Sequence, residues 1–280
     1  RRRRVFIFAY RNTTRYSNRM MKKVNCSGEL DDNMRASCMK EILISRGFFA
    51  NSFPVRTDGE EKVFSVKLPL NIGELSSAFS FDFENTGIMM NGVIYTMKTS
   101  PFYFGKQITL GDIMEDGDID STFFIPKNRL YYTKPEINHS DETKKQLSTK
   151  THQTWQYIKG AKKLPRKAAN GHEYVFSEGP VPMIDEYDKP ARTMLTSEGS
   201  FSRTTHIVKD KQTGRIRLLT PIEVERIQGF PSDWTKECLV NGELIEMPVN
   251  KRRFMMGNAL VVNLINQMEP QLSDIFEAEE

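Results

Sequence analysis

Cysteine is scarce in this chain: three in 280 residues, at Cys26, Cys38 and Cys238. The count is odd, the spacing is wide and no CxxC occurs, which argues against both a disulfide framework and a zinc site. Only four His are present, with no metal-ligand pair among them, so no metal is expected. No apolar run approaches the length of a membrane span. No apolar segment with a small-residue cleavage site follows the charged start, so no secretory signal is expected. Net charge is small as well: 40 basic and 36 acidic side chains leave +4. These absences point to reduced thiols and a cytoplasmic setting. What remains, 38% hydrophobic and 27% charged residues, suits a folded globular chain of one large domain or two small ones. The first residue is Arg rather than Met, so a piece of a longer reading frame is expected.

The small net charge hides a strong segregation. From Arg1 to Lys23 there are nine Lys or Arg and no acidic residue. From Lys159 to Lys167 five of nine residues are basic, and the last twelve residues carry five acidic side chains and no basic one. Clustered positive charge is the electrostatic footprint of a phosphate-binding surface.

The stretch from Leu218 to Pro231, LLTPIEVERIQGFP, has the most consistent local chemistry. Thr220 and Glu223 are spaced for a capping box, with Pro221 at the first helical position. Leu219 and Val224 are spaced as a hydrophobic staple. Gly229 suits the left-handed residue past the helix end, and Pro231 blocks resumption. The same string closely resembles the ninth conserved motif of the C5-specific DNA cytosine methyltransferases, R-x-L-T-P-x-E-x-x-R-x-Q-G-F-P. Every fixed position is present: Arg217, Leu219, Thr220, Pro221, Glu223, Arg226, Gln228, Gly229, Phe230 and Pro231. The resemblance implies that this helix does no chemistry but organises the target-recognition domain that reads the DNA.

Two further segments fit that resemblance, in the family's order. At the start, Val5-Phe6-Ile7-Phe8-Ala9-Tyr10 reads as a strand buried on both faces, as in the interior of a mostly parallel sheet. With Arg2 and Arg4 before it, it is similar to the eighth motif; the resemblance implies that Arg4 holds the flipped cytosine, with Arg2 in support. Near the end, Gly257-Asn258-Ala259-Leu260-Val261-Val262 resembles the tenth motif. Asn258 reads as the cap of a buried helix bearing Val261, Leu264, Ile265 and Met268. The resemblance implies that Gly257, Asn258 and Ala259 help enclose S-adenosyl-L-methionine.

Between these motifs the reading is coarser. Segment 32–47 suits one amphipathic helix with Met34, Cys38, Ile42 and Ile44 on one side. Segments 63–70 and 93–97 suit strands. Thr109–Met114 and Phe123–Pro126 resemble the short helix and extended piece by which the family's chain leaves its catalytic domain. Residues 133–153 read as a linker. From Trp155 onward, aromatic residues interleave with basic ones, which suits a loop along DNA phosphates. Lys159, Lys162, Lys163, Arg166, Lys167, His172 and Tyr174 are its candidate DNA contacts. Segment 190–199 resembles the recognition-domain signature; Thr193 is the carried-over position, with Arg192 and Thr196 beside it. Asp210 to Gly214 suits a hairpin turn.

The expected fold class is therefore α/β: a fragment of an S-adenosylmethionine-dependent methyltransferase (Rossmann-like) domain, plus a mixed, loop-rich target-recognition domain. Residues 1–130 are assigned to the end of the catalytic domain with an insertion, 131–250 to target recognition, and 251–280 to the return into the catalytic domain. The implied reaction flips the cytosine out of double-stranded DNA, adds a Cys thiolate at C6 and methylates C5. No Pro-Cys-Gln, Glu-Asn-Val or Gly-rich cofactor loop occurs in these residues, so the chain alone is expected to be inactive. Two readings follow: the C-terminal portion of a methyltransferase, or a non-catalytic specificity subunit paired with a separate catalytic chain. A bacterial or phage restriction-modification context is expected.

Overall fold

Two Asn-Gly dipeptides set two of the chain's hairpins. Asn91-Gly92 and Asn241-Gly242 both have positive φ at each residue, 52° and 76° in the first, 52° and 88° in the second. That pair of left-handed residues is what a two-residue turn matching the twist of its strands requires. The computed structural model describes residues 5–24, 26, 28–57, 62–77, 79–131 and 152–280. It divides into two units. One spans Gln107–Val262; the other is formed by the chain up to Lys106 together with Asn263–Glu280.

In the unit containing the early part of the chain, α1 (Arg15–Lys23) is capped by the Thr14 hydroxyl, which accepts from the Ser17 amide. The α2 helix (Asp32–Glu41) is capped by Asp31 and runs on into a π-helical turn, Ile42–Arg46. Then follow α3 (Phe48–Ser52), β1 (Val55–Arg56), β2 (Phe64–Lys67), α4 (Ile72–Ser77), β3 (Thr86–Met90), β4 (Val93–Met97) and β5 (Ser100–Pro101). Strand β4 is the middle of an antiparallel three-stranded sheet, order β2-β4-β3, and β1 pairs with β5. The core of this unit gathers Tyr16, Met20, Cys38, Met39, Ile42, Phe48 and Tyr95.

The second unit opens with α5 (Leu110–Ile113), whose Thr109 and Asp112 close a capping box. It continues through α6 (Lys127–Leu130), α7 (Trp155–Lys159), the hairpin β6 (Lys162–Lys167) and β7 (Glu173–Glu178), and the hairpin β8 (Ile207–Lys209) and β9 (Ile216–Leu218). Next come α8 (Pro221–Ile227), the hairpin β10 (Glu237–Val240) and β11 (Glu243–Glu246), and α9 (Val249–Asn258). One core joins Leu110, Ile113, Met194, Val208, Leu219, Val224 and Met256; another joins Leu130, Trp155 and Ile207. The last helix, α10 (Val262–Glu279), places Met268 and Ile275 in the core of the first unit.

The result is mixed α/β with small antiparallel sheets, and several expectations change. Segment 5–10 belongs to no strand among the described residues, and Val5 and Ile7 are each 84% exposed. A strand buried on both faces needs a neighbour on each edge, and the described residues offer none. Only Phe8 is anchored, stacked on Phe48 at 4.0 Å. In the 32–47 helix the buried residues are Cys38, Met39, Ile42 and Leu43, with Met34 exposed. The π turn inserts an extra residue per turn, which brings Leu43 rather than Ile44 to the core. Most of the 133–153 linker, and Arg2 and Arg4, lie outside the described residues.

Candidate nucleic-acid interface

The Thr220 helix forms as its sequence dictates. Glu223 N–H donates to the Thr220 hydroxyl, and Thr220 N–H donates to Glu223 Oε2 at 2.9 Å. Leu219 and Val224, the staple pair, are both fully buried in the same core. Gly229 follows at φ 81°, the left-handed residue past the helix end.

Tertiary contacts make this helix a hub. The Arg217 guanidinium from β9 grips Glu223 with two bonds of 2.8 Å and reaches Asp210 Oδ2 at 3.2 Å. Glu223 also accepts from the Glu115 amide at 3.1 Å, so its carboxylate has four donors. Arg217 and Glu223 are both fully buried. Burial alone would lower the Arg217 pKa, but its two carboxylate partners hold it above the ordinary value. Arg226 donates to the Ile113 carbonyl and to Ser232. Gln228 donates to the Met256 carbonyl at 2.8 Å, and its own backbone carbonyl accepts from the Val262 amide. One helix thus ties α5, the β8–β9 hairpin and α9 together.

A second buried network shapes the segment ahead of it. Arg192 pairs with Asp185 through Nε at 2.5 Å and Nη2 at 3.0 Å, and also donates to the Thr204 and Thr205 carbonyls. Burial pushes the Asp185 carboxyl up, but Arg192 and the Ile207 amide hold it below the usual carboxylate range. His206 and Glu198 bond at 2.8 Å, both buried. Lys159 is 1% exposed and donates to the Pro182 and Thr205 carbonyls; burial brings its pKa down to about 8. Two of the expected DNA contacts are therefore corrected. Lys159 and Arg192 are committed to holding the fold, because each finds more acceptors inside than a solvent-facing side chain would.

The basic residues that stay outside sit on the β6–β7 hairpin. Its register pairs Lys162 with Glu178, Leu164 with Phe176, Arg166 with Tyr174 and Lys167 with Glu173. Gly171, at φ 87°, turns the tip. On one face Arg166 lies 3.8 Å over the Phe176 ring, and Lys162 lies 5.1 Å over Tyr157 and pairs with Glu178. Lys163, Arg166, Lys167, His172 and Tyr174 are exposed. Lys167 makes an exposed pair with Glu173 at 3.8 Å, which costs little to open. Segment 155–167 is thus a short helix and a strand rather than a loop.

Near α9 the expectation also changes. Asn258 is the last residue of that helix, not the cap of the next, which begins at Val262. Gly257 is buried, and a Cβ there would lie 2.4 Å from the Thr196 amide nitrogen and 2.5 Å from the Leu195 carbonyl. Close backbone packing therefore accounts for this glycine. Thr193 is half-buried, and Thr196 is exposed where its backbone meets Gly257. Residues that sequence reasoning missed include Glu225, Arg252 and Arg253. Arg252 pairs with buried Glu225 at 2.8 Å and with Asp233, while Arg253 donates to the Leu219 carbonyl. Their partners lie 19 to 34 residues away, so no local pattern announces them.

The sequence model of the family described as C-5 cytosine-specific DNA methylase matches residues 1–274. The chain is also similar to the type II methyltransferase M.Sau3AI of Staphylococcus aureus, with 37% identity over 276 residues, or 98% of this chain. It spans 55% of that relative's length, about half.

Proposed function

Because the chain belongs to the C-5 cytosine-specific DNA methylases, we propose that it is the sequence-reading, C-terminal portion of a DNA (cytosine-5-)-methyltransferase. The observation that carries this reading is the β6–β7 hairpin. It exposes Lys163, Arg166, Lys167, His172 and Tyr174 from a base held by buried ion pairs. Such a hairpin presents phosphate contacts at a defined position while its aromatic and polar tips face base edges. In this reading the unit from Gln107 to Val262 is the recognition unit, with the Thr220 helix as its anchor. Thr196 is a further contact; Thr193 orients the backbone beside it.

The target cytosine is flipped into a pocket completed by sequence outside these 280 residues. The nucleophile comes from there too. Cys26 and Cys38 are buried in an apolar core, and burial with the Cys38 contact pushes the Cys26 thiol up to about 12, far from a thiolate. S-Adenosylmethionine is the methyl donor the family implies. Of the residues assigned to it, Gly257 is taken up by packing on Leu195 and Thr196, and Asn258 alone offers an exposed polar side chain. These three residues do not by themselves build the donor's site. Arg2 and Arg4 keep their assigned roles beside the cytosine in this reading.

The test is the salt dependence of duplex binding. Lys163→Gln with Arg166→Gln is expected to weaken binding and flatten the log–log salt slope by about 0.9 for each phosphate no longer neutralised. A slope equal to that of the unaltered chain removes the hairpin from the interface.

A further inference from the structure

The basic run at the start of the chain is not used by the hairpin reading, and part of it folds as α1. This helix is divided cleanly by its 3.6-residue period. Tyr16, Ser17, Met20 and the following Val24 are buried in the core. Arg15, Asn18, Arg19, Lys22 and Lys23 are exposed, at positions i, i+3, i+4, i+7 and i+8 of the opposite face. Arg11, exposed in the preceding turn, extends that face. The helix is held firmly: Glu279 accepts from the Arg15 and Tyr16 amides at 3.1 and 2.7 Å, and Arg15 donates to the Ala278 carbonyl. Among the described residues, no ion pair neutralises Arg11, Arg19, Lys22 or Lys23.

We propose that the exposed face of α1 is a second duplex-DNA docking surface, separate from the hairpin, which grips the phosphate backbone without reading sequence. Charge complementarity identifies the occupant. Arg15, Arg19 and Lys23 form one stripe with steps of roughly 6 Å along the helix axis, comparable to the step between phosphates along a strand. Their chemistry suits phosphate, because the face carries cations and one Asn and no aromatic or apolar group to stack on bases. The neighbouring cleft, about 510 Å³, is excluded as the phosphate site. Arg19 and Lys23 line one wall, but Asp274 and Glu277 of α10 line the other and would repel an anion. The polyanion therefore runs along the open side of α1. The contact raises affinity for any duplex and holds DNA near the chain while the hairpin searches for its site.

This proposal rests on the reading of the chain as a DNA-binding protein, and one experiment separates the two. Duplex of arbitrary sequence is titrated at several salt concentrations against the full chain and two variants. One variant carries Arg19→Gln, Lys22→Gln and Lys23→Gln; the other carries Lys163→Gln, Arg166→Gln and Lys167→Gln. The α1 variant is expected to lose up to about 2.7 from the slope, at about 0.9 for each of three phosphates. Arg19→Lys alone should retain the slope. A slope changed only by the hairpin variant overturns the α1 surface and leaves the DNA reading standing. If neither variant changes it, both fail. If the α1 variant loses binding to anionic phospholipid vesicles while its DNA slope is unchanged, the partner is a membrane surface and the proposal is overturned. The altered side chains are all exposed, and a thermal melt matching that of the unaltered chain checks that each variant folds.

Discussion

Glu223 uses both carboxylate oxygens four times over, and Arg217 opposite it is fully buried. Removing one member leaves the other charged and dry. Glu223→Ala is expected to cost about 3–5 kcal/mol of unfolding free energy, read by denaturant titration. Lys159 makes the contrasting case. Lys159→Met strands two buried carbonyls and should cost about 1–3 kcal/mol, with the DNA salt slope unchanged. Its titration sets a pH signature. The folded group loses its proton near pH 8, while the unfolded one keeps it to about 10.4. Between those values the unfolded state binds more protons, so this group makes stability rise with pH across that window; below it the burial penalty is complete. Stability measured from neutral pH to about 9.5 should show a rising contribution that Lys159→Met abolishes. Sequence patterning assigns Lys159 to the DNA because a lysine in a basic run looks exposed. Its burial depends on acceptors at Pro182 and Thr205, far along the chain.

At the scale of elements, what reads well is what closes locally. The Thr220 capping box, the Leu219–Val224 staple and the 210–214 turn all involve groups within five residues, and the structure shows each. Thr220→Ala is expected to lose about 1 kcal/mol from the cap, read by thermal melting. The Asn-Gly turns are equally visible, yet β3, β10 and β11 lie outside the elements expected from sequence; alternation around Asn91-Gly92 and Asn241-Gly242 is the signal that announces them. Gly257 shows the opposite. Its neighbours Asn258 and Ala259 suggest a cofactor loop, but contact with Leu195 and Thr196 demands the glycine. Gly257→Ala should destabilise the fold by about 1–3 kcal/mol through overpacking, even with no cofactor present. A melting temperature unchanged from that of the parent would rule out the packing explanation.

For the whole molecule, the acidic and basic segments divide the surface by task. The hairpin and α1 carry exposed cations, while the C-terminal helix supplies the Glu279 that caps α1. The isolated chain is expected to bind duplex DNA and to transfer no methyl group to it. Radiolabel from S-adenosylmethionine appearing in DNA would mean that one of the three cysteines does act as a nucleophile, against the burial of Cys26 and Cys38. Sequence by itself determined the family, the anchoring helix and the absence of a Pro-Cys-Gln nucleophile, because motif chemistry and helix caps are written in neighbouring residues. Only the tertiary structure decided which cations are exposed and which are structural. A lysine or arginine carries the same charge in either role, and only distant carbonyls and carboxylates, brought close by folding, distinguish Lys159 and Arg192 from Lys163 and Arg166.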